Sequence, residues 1–413
     1  MNIYLVGGAV RDQLLGLTVS DKDWVVVGAT EQAMLDRGYI QVGNDFPVFL
    51  HPKTKEEYAL ARTERKNGKG YTGFEVDSSQ TITLEQDLLR RDLTINAMAM
   101  DEEAQLIDPY NGQKDLKNKI LRHISPAFSE DPLRVLRVAR FAARYHHLGF
   151  QVAEETMELM SLMVRDGELD HLIAERVWKE TSRALLEPAP QVFFELLREC
   201  GALRVWFPEL NKLWGIPNPA KWHPEIDTGV HTMMVLQQAA MLSDDLSIRY
   251  AALVHDFGKG LTNPALWPSH RGHEKLGIEP INALSARLKV PNHCNDLAVL
   301  MSEFHSHVHR AFELKPSTIL NMLNRCDAWR KPQRYQDMLT TCKADARGRT
   351  GFEHIAYEQA DYLLETLDVA QRVDVQEIVS DGFKGKDIKI KLDEKRTQAI
   401  AELKRNTPVP EAN

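Results

Sequence analysis

Leu5-Val6-Gly7-Gly8-Ala9-Val10-Arg11-Asp12, followed shortly by Ser20-Asp21-Lys22-Asp23, is the stretch on which the reading of this chain turns. Residues 3–6 form a short apolar run of strand type, broken by Gly7-Gly8. Residues 9–15 then read as a short helix closed by Gly16, and 23–27 as a β-branched strand ending at Gly28. A glycine pair between a strand and a helix offers backbone N–H groups and the positive end of the helix dipole to a phosphate. Gly8 is the candidate contact, and Arg11 follows one helical turn later. Asp21 and Asp23 stand two residues apart at the head of the second strand, so they point to one face. Hard carboxylate ligands on one face suit Mg²⁺ and its phosphate-bearing substrates. Two such ions would activate an attacking hydroxyl and stabilise a leaving pyrophosphate.

Outward from this core, residues 30–37 read as a helix, and 48–51 and 57–62 as paired strands around 52–55. Glu57 reads as a surface acid of an exposed strand. Residues 63–81, with Gly68, Lys69, Gly70 and Gly73, read as a mobile loop. From about residue 131 helical periods dominate almost to the end. Pro132 suits a helix start, after which Arg134, Arg137, Arg140 and Arg144 fall on one face with apolar residues between. Such a helix is either salt-bridged and exposed or close to anions such as triphosphate and RNA.

The opening stretch resembles the signature of the polymerase-β-like nucleotidyltransferases, more narrowly the class II tRNA CCA-adding enzymes and the related bacterial poly(A) polymerases. Three later motifs extend the resemblance over the first 150 residues, in order. They are Asp87-Leu88-Leu89-Arg90-Arg91-Asp92-Leu93-Thr94-Ile95-Asn96-Ala97, Asp108-Pro109-Tyr110-Asn111-Gly112 through Asp115-Leu116, and Glu130-Asp131-Pro132-Leu133-Arg134 continuing to Phe141. The resemblance implies that Asp131 and Arg134 select the base. A carboxylate takes the exocyclic amine of cytosine or adenine, and a guanidinium reaches the ring acceptors. It implies that Arg91, Arg137 and Arg140 hold triphosphate or ribose, and that the 63–81 loop adjusts specificity from C to A.

Val254-His255-Asp256-Phe257-Gly258-Lys259 closes an apolar helical run and resembles the HD phosphohydrolase superfamily. The implied metal ligands are His231, His255, Asp256 and Asp345, a donor set suited to Ni²⁺ or another divalent transition metal. His273 and His305 match positions that bind a second metal or a substrate phosphate in some members. His307 and His309 read as surface residues and His223 as a loop residue. In CCA-adding enzymes of this type the HD domain carries phosphatase, 2′-nucleotidase and 2′,3′-cyclic phosphodiesterase activity.

Fifty-one basic and 59 acidic residues leave a net charge of -8 over 413 residues, which excludes a general polyanion coat but not a local basic groove. The acid gathers in 151–200, whereas basic clusters lie at 134–144 and 325–349. Four scattered cysteines without a CxxC pair favour a reducing compartment. With no signal-type start and no apolar span, a cytoplasmic protein that meets no membrane is expected. The expected fold class is α+β. A nucleotidyltransferase head with a small mixed sheet (1–140) precedes an all-α neck and body that binds tRNA (141–227), an HD domain (228–330) and a helical tail (331–413). The expected partners are tRNA, through its acceptor and TΨC arms, with CTP and ATP, for a monomer or weak homodimer. A bacterial poly(A) polymerase, an HD-containing alarmone synthetase/hydrolase and a helical RNA-binding regulator stand as alternatives. The acidic tail, the domain order and the intact carboxylates respectively speak against them.

Overall fold

Alternation along the second strand builds the head from both sides. The computed structural model describes residues 1–19, 21–42, 48–66 and 74–408. The strands are β1 (Asn2–Val6), β2 (Asp23–Val27), β3 (Ile40–Val42), β4 (Val48–Leu50), β5 (Glu57–Leu60), β6 (Thr63–Lys66), β7 (Phe74–Asp77), β8 (Ala99–Met100), β9 (Leu106–Ile107), β10 (Ile120–Leu121) and β11 (Gln151–Val152). Seven of them form one mixed sheet in the order β3-β4-β5-β2-β1-β8-β9. Val25 packs on one face with Val6, Leu84, Leu88 and Ala97, and Val26 on the other with Met34, Phe49 and Tyr58. Antiparallel β1–β2 pairing sets Val6 opposite Asp23, and parallel β2–β5 pairing sets Asp23 opposite Glu57.

The helices of this part are α1 (Gly8–Leu14), α2 (Glu31–Asp36), α3 (Leu84–Leu89), α4 (Gly112–Asn118), α5 (Leu133–Tyr145), α6 (Glu154–Arg165), α7 (Ala174–Leu185), α8 (Pro190–Glu199) and α9 (Leu203–Trp206). A capping box between Thr83 and Gln86 starts α3, whose end delivers Arg90 and Arg91. The stretch expected as one loop over 63–81 holds the β6–β7 hairpin, with Thr63 opposite Asp77 and Lys66 opposite Phe74. The strand-forming Thr63, Phe74 and Val76 outweigh the glycine-rich middle there. Gly68, Lys69, Gly70 and Gly73, like Ser20, lie outside the described residues.

Residues 1–184 with 192–205 form one compact unit, and 185–191 with 206–413 a second. Much of the stretch expected as a separate neck thus belongs with the head, tied by ion pairs from Arg140 to Glu180 and from Arg176 to Asp131. The second unit contains α10 (Pro208–Asn211), α11 (Thr228–Leu242), α12 (Leu246–Val254), α13 (His273–Leu276), α14 (Ile278–Leu288), α15 (Asn292–His309), α16 (Pro316–Arg325), α17 (Pro332–Arg347), α18 (Glu358–Gln371), α19 (Val375–Ser380) and α20 (Lys386–Asn406). Every residue from Ser247 to Val254 is buried, so α12 is the central helix, packed by α11, α15 and α17. Asp227 and Asp245 cap α11 and α12 by accepting from Val230 N at 2.9 Å and Ser247 N at 2.7 Å. Because α17 packs against α11, α12 and α15, the helical unit continues through the boundary expected at 330. Among the described residues no helix is long and apolar enough to cross a membrane.

Candidate active sites

The head site forms where β1 ends. Gly7 takes φ 68°, ψ -128°, a conformation reserved for glycine. A Cβ on Gly7 would stand 2.8 Å from Arg91 Nη1, and one on Gly8 3.3 Å from Arg11 Nη2. Two guanidinium groups therefore crowd the Gly7-Gly8 turn, and Asp23 lies beside it by register. Partial burial raises the Asp23 carboxyl above its usual range, with Asp21 adding to the rise and Arg91 opposing it. Asp21 precedes the strand and is exposed, yet its charge still reaches Asp23. Glu57, opposite Asp23, is brought to the same strand end.

The later motifs lock this arrangement. Asp87, fully buried, pairs with Arg90 at 2.9 Å and Arg91 at 3.2 Å. Burial would raise the Asp87 carboxyl, but the two arginines hold it below its usual range. Asn96 accepts from Arg11 Nη1 and donates to Asp92 Oδ1 at 2.8 Å. Asp92 Oδ2 accepts from Arg137 Nε at 2.8 Å. Despite full burial, Arg137 and Asn96 keep Asp92 well below the ordinary carboxylate range. Arg91 Nε is buried without a hydrogen-bond partner, a donor that an anion can satisfy. Asp108 accepts from Gly112 N at 2.7 Å and Gln113 N at 2.9 Å. A Cβ on Gly112 would come within 2.4 Å of the Thr94 carbonyl oxygen. This motif therefore braces the turn that presents Asn96.

Asp131 and Arg134, expected to select the base, are engaged within the protein. Asp131 accepts from Leu133 N at 3.1 Å and from Arg176 Nη2 at 3.2 Å. Arg134 donates to the Ala127 carbonyl at 2.8 Å and to the Arg90 carbonyl. Arg140, expected to hold triphosphate or ribose, lies buried beside an acid. It is 7% exposed, and its Nε donates to Glu180 Oε2 of α7 at 2.7 Å. The basic face expected at 134–144 is thus interleaved with acids from other elements. Arg144 lies 3.5 Å from Asp12, which also accepts from Tyr145 at 2.9 Å.

The second site lies inside the helical unit. His231 comes from α11, His255 and Asp256 follow α12, and Asp345 comes from α17. His231 Nε2 stands 3.0 Å from Asp345 Oδ1, and His255 Nε2 stands 3.7 Å from the same oxygen. Ligand atoms of His231, His255 and Asp345 lie within 4.8 Å of one another, as do those of Asp256, His273 and His305. His255 Nδ1 donates to the Ala252 carbonyl at 2.8 Å, which leaves Nε2 as its ligand nitrogen. That Nε2 and Asp256 Oδ1 are buried without a hydrogen bond, while Asp256 Oδ2 lies against the Lys259 ammonium. Orphaned buried nitrogen and oxygen donors of this kind fit a divalent cation. Against burial, Lys259 and His255 hold Asp256 well below the carboxylate range, and His255 and His309 do the same for Asp345. Burial lowers the His231 imidazole, but Asp345 and Glu225 win and raise it to about 9. Burial and the neighbouring His273 push His305 down to about 3, so its ring is neutral.

Three further residues of this centre were not expected in it. His309, expected at the surface, is half-buried, with Nε2 2.8 Å from Asp345 Oδ2 and Nδ1 2.8 Å from the Tyr357 hydroxyl. The α15 periodicity places it one turn after His305. Lys259 Nζ lies 2.7 Å from Asp256 Oδ2 and donates to Asn218 at 3.0 Å. His223 is in a loop as expected, but that loop turns it against His231.

Family comparisons match three segments. These are a poly A polymerase head domain over residues 3–122, a probable RNA and SrmB-binding site of polymerase A over 149–213, and an HD domain over 228–346. The Multifunctional CCA protein of Pseudoalteromonas atlantica is 66% identical over 401 residues, covering 97% of this chain and 99% of that protein. Among solved structures, the Thermotoga maritima CCA-adding enzyme complexed with tRNA shares the fold at TM-score 0.66 and 20% identity, over 99% of this chain and 89% of that one. A CCA-adding enzyme with ATP matches at TM-score 0.66 and 19% identity, over 100% and 92%. With its polymerase-type head, its HD domain and a full-length curated relative, the chain belongs to the family of multifunctional CCA proteins.

Proposed function

We propose that the head adds C, C and A to the 3′ end of tRNA from CTP and ATP without a nucleic-acid template, and that the HD domain trims phosphates from damaged ends. The observation that carries the first part is the convergence of Arg11, Arg91 and Asp23 on the Gly7-Gly8 turn. Gly8 and the two guanidiniums hold the triphosphate, with Arg137 behind them fixing Asp92 and Asn96. Asp21 and Asp23 hold Mg²⁺, with Glu57 as a candidate third carboxylate. When bound, the ion supplies charge for the attacking 3′-hydroxyl and the departing pyrophosphate. Asp131 accepts the exocyclic amine of the incoming base and Arg134 donates to its ring acceptors. For this they exchange their present bonds to Arg176, Ala127 and Arg90. Arg140 supports α5 from Glu180 and does not touch the nucleotide.

In the HD domain, His231, His255, Asp256 and Asp345 hold a divalent transition metal such as Ni²⁺, and His273 and His305 form a second group around Asp256. A bound cation there would polarise a phosphate ester and its attacking water. The reaction class is hydrolysis of 2′-phosphates, 2′,3′-cyclic phosphates and phosphomonoesters. Purified protein incubated with tRNA lacking its 3′ end and with each NTP tests the head. Ordered incorporation of two C and one A supports the reading, whereas long A tails or no incorporation would sink it. Asp131→Ala should lose discrimination for C and A over U and G, and unchanged choice would contradict the templating role.

A further inference from the structure

The loop of residues 215–227 leads into α11 and carries two side chains that reach the HD metal centre from outside its ligand set. Asn218 accepts from Lys259, whose ammonium lies against Asp256. Glu225 acts more directly. Its side chain is 2% exposed, and its Oε1 lies 3.0 Å from Nδ1 of both His223 and His231. The Gly348 carbonyl oxygen stands 2.9 Å from the same His231 nitrogen. Two acceptors facing Nδ1 fix the proton there. Nε2, which faces Asp345 at 3.0 Å, is then the ligand nitrogen.

The backbone around Glu225 is held with some strain. Ile226 has φ 60°, a left-handed conformation that a β-branched residue rarely adopts. Its carbonyl accepts from Asn218 N at 2.6 Å, and Pro217 bridges to Asp227. Asp227 accepts from Gly215 N at 2.6 Å and caps α11 through Val230 N. The turn is therefore pinned on both sides of the strained residue, and such strain persists where surrounding structure over-determines it. The result aims a buried carboxylate at an imidazole.

We propose that Glu225 is a positioning residue of the HD metal centre, holding His231 with Nδ1 protonated and Nε2 turned to the cation. This rests on reading His231, His255, Asp256 and Asp345 as the metal ligands. A carboxylate behind a ligating histidine fixes its tautomer and ring orientation and makes it a better donor. His223, on the same carboxylate oxygen, holds Glu225 in place.

Titration of Ni²⁺ into the chelator-stripped full chain, followed calorimetrically, tests this. The unsubstituted chain should bind and His231→Ala should lose the high-affinity ion. Glu225→Gln should bind the same number of ions about 10–100-fold more weakly. Its Co²⁺ form should show a shifted visible absorption band, with the thermal midpoint unchanged. Glu225→Asp should fall between the two, and it carries the test alone if the glutamine chain does not fold. No binding by the unsubstituted chain overturns the metal centre and this role together. Unchanged affinity and spectrum in Glu225→Gln, beside lost affinity in His231→Ala, overturns the role of Glu225 alone. Loss of one ion with full affinity for the rest would make Glu225 a ligand and also overturn it.

Discussion

Removing the Arg140 guanidinium should destabilise the head unit while leaving nucleotide choice intact. Arg140 is 7% exposed and Glu180 3%, and their charged atoms are 2.7 Å apart. In Arg140→Leu the Glu180 carboxylate stays buried, with Arg137 Nη1 at 3.9 Å as its next cation. Breaking a buried pair from one side costs about 3–5 kcal/mol, because the remaining charge is uncompensated. Arg137 is committed to Asp92 at 2.7 Å and relieves only part of that, so the lower end, about 3 kcal/mol, is expected. For a unit of this size the loss corresponds to a melting midpoint lowered by roughly 6–12 °C. Replacing both residues by leucine removes the stranded charge and should recover most of the loss. Thermal melts of the single and double variants, with KM for CTP and ATP on each, decide the matter. A single variant that melts with the unsubstituted chain refutes the buried-pair reasoning. A double variant that melts normally but shows a KM raised about 100-fold, some 2.7 kcal/mol, would place Arg140 on the triphosphate.

Asp21→Ala with Asp23→Ala should abolish nucleotide addition and spare phosphatase activity, and His255→Ala should do the reverse; loss of both activities in a folded variant would contradict two independent sites. Gly7→Ala imposes a conformation costing about 1–3 kcal/mol and drives Arg91 from the turn, so kcat/KM for CTP should fall at least about tenfold. Gly8→Ala, whose Cβ meets only the flexible end of Arg11, should be milder. Arg137→Gln should change how stability depends on pH. In the unsubstituted chain Asp92 is held below its usual range, so its contribution is full above about pH 4 and is lost as pH falls further. Without Arg137, burial pushes that carboxyl up. The gap in urea midpoint between the two chains should then be widest at pH 7 and narrow towards pH 4, and a gap independent of pH would refute the assignment.

What was legible in the sequence was local. Gly7-Gly8, the spacing of Asp21 and Asp23, and the His255-Asp256 pair announce themselves because their chemistry depends on neighbours within a turn or two. The β1 and β2 strands were equally clear from their apolar runs. What escaped depends on chain brought from afar. The helical period of α5 showed that four arginines share a face, but not that Glu180, forty residues on, would close over Arg140. His309 looked like a surface histidine because its partner is Asp345, thirty-six residues away. Glu225 sits in a loop, where no periodicity exists to mark it. The β6–β7 hairpin was hidden by a glycine- and lysine-rich centre whose composition outweighed its flanks.

The net charge of -8 takes on a different meaning once the partners are known. In the head, acids are placed against arginines one by one: Asp12 on Arg11 and Arg144, Asp87 on Arg90 and Arg91, Asp92 on Arg137, Glu180 on Arg140, Asp131 on Arg176. Asp87 and Asp92 each brace more than one group around the turn, so their charge fixes guanidinium geometry as well as cancelling it. Under the proposed function, a triphosphate entering here would meet arginines already oriented, which lowers the ordering cost of binding. Because Asp87, Asp92 and Glu180 are buried, these contacts are screened weakly by salt. Under the same proposal, phosphates of tRNA would instead meet exposed cations and release counterions. Raising the salt should therefore increase KM for tRNA steeply and KM for CTP little. Equal slopes for the two substrates would mean that the triphosphate is held by exposed charge, and that the buried acids do not organise its site.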